Sequence, residues 1–158
     1  MSEKLIENVV NENLTGEAQK NTLDFIGFMR KNGFTFEYFD LGHTVGWHPA
    51  YNGNGIGCTM VSDQFMFWLG LECEFDSSGP ADDELKGFVW AHTVICPQEC
   101  CKPPYCIANE EHPGSKNTWK VFGKEYESTC HAPLAFFNPD TKAFDNLKKL
   151  MLRARLVN

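Results

Sequence analysis

Positive charge is scarce in this chain. Its 158 residues carry 14 Lys and Arg against 21 Asp and Glu, a formal net charge of -7 with histidine neutral. Nucleic-acid binding needs a basic stripe or patch, so that class of partner is excluded. Long apolar runs are missing too. None reaches the roughly 18 residues of a membrane helix, and the opening MSEKLIENVVNENL interrupts with charge the apolar stretch a signal peptide needs. The expectation is a chain without membrane contact, in the cytoplasm. Signature motifs of catalysis are equally short: no phosphate-binding loop, HExxH or GxSxG is present. Internal repeats and low-complexity tracts are absent as well. An enzyme is therefore not the first reading.

What is present is bulk and sulfur. Apolar residues make up 42% and charged residues 22%, ordinary for a globular domain. Aromatics reach 13%, with 13 Phe, which suits a bulky core or an aromatic-lined cavity. The length predicts one domain over 15–158, preceded by an N-terminal arm or short helix over 1–14. Thr15 is a candidate N-cap, and Gly33 sits where a left-handed helix end belongs. FTFEYFDL, GCTMVS and FMFWLGLECEF read as strands. GHTVGWHPAYNGNGIG, rich in Gly and Asn, reads as turns around a short strand piece. Pro80 and the acids after it open a helix whose stripe is Leu85, Phe88, Val89 and His92. TWKVFGKEYES predicts a hairpin about Gly123, and CHAPLAFF one more short strand. A last helix has Asn138 as cap, Pro139 at its first position, and Ala143, Phe144, Leu147, Leu150, Met151 and Ala154 inward. Its late Lys and Arg complement the helix dipole. Together these predict an α+β fold: an antiparallel sheet of about four to six strands, packed helices and a long cysteine-rich loop.

Seven cysteines are an odd number for a paired framework, and in the cytoplasm thiols stay reduced. Four of them, Cys96, Cys100, Cys101 and Cys106, crowd the segment ICPQECCKPPYC, and Cys130 follows beside the hairpin. Four thiolates in a tetrahedron are what structural zinc takes. The spacing departs from paired CxxC, which leaves Cys101, Cys106 or His92 open as the fourth ligand. His92 precedes Cys96 by four residues and points the same way if the helix persists. The rival reading is a thiol-based redox sensor or thiol-dependent enzyme using the Cys96–Cys106 cluster. Cys58 and Cys73 fall in strands and read as small buried apolar residues. Cys130 and His131 are adjacent in an extended stretch, so they point to opposite faces and do not form a dyad.

A third reading needs no metal. Trp47, His48 and Tyr51, joined by Trp68 and Trp90, are candidates for an aromatic small-molecule pocket. The expected role is thus binding of a small molecule or a protein partner; no ligand can be named and the oligomeric state stays open. The C-terminal half also resembles short bacterial cysteine-containing α+β proteins of uncharacterised activity. The likeness falls on Cys96, Cys100, Gly123, Lys124, Cys130, Asn138, Pro139 and Asp140. It implies that Cys96, Cys100 and Cys130 act as one unit, and it implies no activity.

Overall fold

The computed structural model describes residues 5–40, 42, 45–63, 66–71, 75, 79–95 and 117–157. Its helices are α1 (Ile6–Asn13), α2 (Gly16–Lys31), α3 (Asp83–Ala91) and α4 (Thr141–Val157). Its strands are β1 (Phe34–Asp40), β2 (Val45–Tyr51), β3 (Asn54–Gly55), β4 (Cys58–Asp63), β5 (Met66–Leu71), β6 (Thr93–Ile95), β7 (Asn117–Val121) and β8 (Lys124–Phe137). They form one antiparallel sheet in the order β1-β2-β4-β5-β8-β6, with β3 added to β2 and β7 to β8. The class is α+β.

The sheet is larger than four to six strands because two tight hairpins each contribute a short extra strand. Asn52 and Gly53 (φ 51 and 79) turn β2 into β3, and Phe122 and Gly123 (φ 49 and 78) turn β7 into β8. Two successive positive φ values are the mark of the primed turn whose twist matches antiparallel strands.

Two strands run further than their composition suggests. β2 occupies much of the stretch read as turns, even though it contains Pro49. The carbonyl of Pro49 accepts from Ile56 N–H at 3.2 Å, on the edge away from β1. The absent proline N–H faces that same edge, so the Pro49–Ile56 pair keeps only the bond from Ile56, just past the end of the β3 register at Ala50–Tyr51 and clear of the β4 register at Val45–Trp47. β8, in turn, is a single strand that joins the hairpin and the separately expected CHAPLAFF segment.

Strand alternation sorts the faces. β1 turns Phe34, Phe36 and Tyr38 to the helices and leaves Thr35 and Glu37 exposed. α1 supplies Ile6, Val9 and Val10 to the same core. Arg30 of α2 holds α1 in place, its guanidinium donating to both oxygens of Glu7 at 2.5 and 3.0 Å. Phe25 of α2 meets Phe144 of α4 at 5.1 Å between ring centroids. Phe144, Leu147, Leu150 and Met151 are buried, so the inward face of α4 is the expected one.

The caps differ in part. Gly33 closes α2 at φ 87. Asp82, not Pro80, starts α3: its carboxylate accepts from Leu85 N–H at 2.7 Å. Asp140, not Asn138, caps α4 by accepting from Ala143 N–H at 2.8 Å. Asn138 instead takes φ 43 where the chain turns out of β8, a conformation asparagine tolerates better than most residues.

Candidate functional site

Cys96, Cys100, Cys101 and Cys106 lie outside the described residues, as does Cys73. Cys130 lies in β8 and Cys58 in β4. The ends of the cysteine-bearing segment 96–116 are nevertheless fixed. Ile95 is in register with Thr129 on one edge of β8, and Asn117 is in register with the same Thr129 on the other. A strand residue has one neighbour on each edge, so Ile95 and Asn117 stand about 10 Å apart, two strand spacings. Cys130 is the next residue along β8. Register irregularities flank this point on both edges. Val94 alone spans the stretch that β8 covers with residues 130–133, and on the opposite edge β5 rejoins β8 only at Leu134, opposite Leu71. Bulges of this kind re-aim side chains and cluster beside functional sites.

His92 does not continue the helix towards Cys96. α3 ends at Ala91 and β6 begins at Thr93, so the helical alignment of His92 with Cys96 fails. The chain leaves the helix because His92 turns back on it: its Nδ1 lies 2.8 Å from the Phe88 carbonyl oxygen. Its ring packs 4.6 Å from Phe88 and 5.1 Å from Phe136.

Trp47 and His48, proposed together for an aromatic site, do not converge. Trp47 is 1% exposed and sits edge-on to Tyr38 at 5.9 Å, inside the core. His48 is exposed on the opposite face and stacks on Phe39 at 4.5 Å. Tyr51 shares the face of Trp47, half-buried between Phe34 and the Arg155 guanidinium. Trp68 belongs to β5, but its side chain lies outside the description. Trp90 donates its indole N–H to the Val121 carbonyl at 3.1 Å. Once β2 is a strand rather than a turn, Trp47 and His48 must part, since successive side chains take opposite faces.

A cleft of ≈ 280 Å³ opens elsewhere, between α3 and α4. Glu84, Phe88 and His92, one turn apart along α3, form one wall; Asp140, Ala143 and Asn146 form the other. A second hollow of ≈ 410 Å³ continues around His92 to Phe136, Phe137 and Pro139. Phe88 and Phe136 stack there at 5.2 Å and 4°, and Phe137 is 62% exposed. Asn146 is 2% exposed; its Nδ2 donates to the Lys142 carbonyl at 3.2 Å, while its Oδ1 has no hydrogen-bond partner among the described residues. Sequence reasoning missed this site. The available signal was one polar residue, Asn146, set among the inward residues of α4, opposite the His92 stripe of α3.

Among the described residues, no group of three or more His, Cys, Asp or Glu is placed to hold a metal ion. No helix there is long and apolar enough to cross a membrane. No family model, curated protein or solved structure matches the chain.

Proposed function

We propose that this chain is a cytoplasmic binding domain whose segment 96–116 is held to the sheet by a cysteine-bound metal ion. Zinc is the ion that a set of thiolates suits best. The ligands in this reading are Cys96, Cys100, Cys130 and one of Cys101 or Cys106. One observation supports it: the residues immediately before Cys96 and Cys130, Ile95 and Thr129, are registered partners, and the segment returns to the same Thr129 through Asn117. Whatever its path, the segment must start and finish beside Cys130. Short spacings between the remaining thiols then allow closure around one ion.

The ion would act as a staple, because a site assembled only on folding contributes its binding free energy to stability. The test is elemental analysis of tag-free protein with thiol counting before and after strong chelation. About one zinc per chain is expected, with four thiols masked until the chelator acts, and a lower thermal midpoint after its removal. Metal-free protein whose cluster thiols react at once and with depressed pKa would overturn the staple in favour of the redox reading.

A further inference from the structure

We infer that the cleft between α3 and α4 binds a small organic cation bearing N–H donors, a primary ammonium on an apolar or aromatic body. The inference is separate from the metal staple and stands or falls without it. At ≈ 280 Å³ the cleft lies near the lower end of small-molecule pockets, so the ligand is small.

The lining is rich in acceptors. Asn146 is buried, and its Oδ1 has no partner among the described residues. A buried carbonyl left unpaired is costly, and a site that retains one has a place for a donor. Asp140 uses one carboxylate oxygen on the Ala143 N–H, which leaves the other for a ligand. Glu84 adds a second carboxylate, already approached by Lys149 at 3.7 Å. His92 has Nδ1 2.8 Å from the Phe88 carbonyl oxygen, which fits an N–H there and leaves Nε2 as the ring's other polar atom. Lys142 is the one cation on this lining and is exposed.

The rest of the wall is aromatic. Phe88 and the His92 ring line it, backed by Phe136, and supply the apolar and aromatic surface that the ligand's body packs on. A metal ion does not suit the site, since no metal-holding group is found among the described residues. Acceptors and carboxylates beside an aromatic wall together select an ammonium on an apolar body. Asn146 Oδ1 is buried in this structure, so a ligand reaches it by displacing side chains of the lining, of which Glu84 and Lys142 are the exposed and long ones.

The experiment is titration of the full chain with phenethylammonium, followed by NMR of the Asn146 side-chain amide and the His92 ring, with benzoate as the anionic control. Saturable shifts of both groups are expected with phenethylammonium and none with benzoate. Asn146→Leu should weaken binding about tenfold or more, the loss of a hydrogen bond to a charged donor. It should also raise the urea midpoint of the free protein, because the unpaired carbonyl is gone. Asp140→Asn preserves a capping side chain and should weaken binding too, which keeps the proposal testable if Asn146→Leu fails to fold. Absence of saturation at high millimolar phenethylammonium, an equal response to benzoate, or undiminished binding by a folded variant would overturn it.

Discussion

Gly46 and Gly27 show how differently two glycines are constrained. Gly46 lies in β2 with the Phe39 ring across it: a Cβ built there meets Phe39 Cζ at 2.2 Å, Cε1 at 2.7 Å and the Met60 carbonyl oxygen at 2.8 Å. The ring can rotate, but the carbonyl belongs to the neighbouring strand β4 and cannot. Gly46→Ala should therefore destabilise by about 1–3 kcal/mol, the range for overpacking, and Phe39→Leu should restore only part of it. Gly27 lies on the exposed side of α2, where a Cβ meets nothing within 4 Å. Gly27→Ala should stabilise by about 1 kcal/mol through helix propensity alone. Urea unfolding of both variants checks the pair, and a destabilised Gly27→Ala would mean that the α2 face has an unseen neighbour. Glycines of these two kinds look alike in a sequence. Gly33 was legible because it stands at a helix end, where left-handed geometry is expected; Gly46 was not, because its constraint comes from the strands on either side, the Met60 carbonyl of β4 and the Phe39 ring of β1.

At the level of elements, helices were easier to read than strands. The inward face of α4 follows from its 3.6-residue period, and that period survives any tertiary context. β2 was hidden because Pro49 and the surrounding glycines suppress strand propensity, and proline is tolerated because its missing N–H faces away from β1, where β2 pairs along its whole length. The pairing of Trp47 with His48 was lost with it, as a turn can gather the two side chains but a strand separates them. Helix starts were legible to within a few residues, but the cap of α4 was assigned to Asn138 instead of Asp140, and the acids after Pro80 were read without naming Asp82 as the cap of α3. Asp82 allows a direct test. The Leu85 N–H, and after it Lys149 and Arg153, hold its carboxyl below the usual carboxylate range. A depressed folded value means that the ionised cap stabilises α3 above the unfolded pKa, and that this stability is lost as pH falls through the folded one. Asp82→Ala should thus lower the urea midpoint at neutral pH, and its difference from the parent should narrow as the pH falls below the usual carboxylate range and through the depressed folded value. Asp82→Asn should retain much of the cap. A difference between Asp82→Ala and the parent that stays constant over that range would show that the cap does not depend on charge.

Across the whole molecule, one side chain ties together regions far apart in sequence. Arg153 of α4 donates to the carbonyls of Pro80 at 3.1 Å and Phe75 at 3.3 Å, and to that of Gly79 as well. Its guanidinium also lies 5.3 Å from the centre of the Phe122 ring, in the β7–β8 turn. The connection between β5 and α3, the last helix and the hairpin turn therefore meet on one planar group. Only a fork can serve several carbonyls and a ring face at once; an ammonium is a compact point charge that cannot reproduce that shape. Arg153→Lys, though it conserves charge, should cost about 1.5–3 kcal/mol, the range for hydrogen bonds made by a charged donor. The loss should be global as well as local. Phe75 is 1% exposed and packs towards Phe122 at 6.4 Å between centroids, so release of its carbonyl should open the chain at Phe75 to chymotrypsin before the rest unfolds. Urea unfolding with an unchanged slope, together with faster cleavage at Phe75, would establish Arg153 as the tie among these elements. An unchanged midpoint with Phe75 still protected would show instead that core packing around Phe75 holds the connection without it.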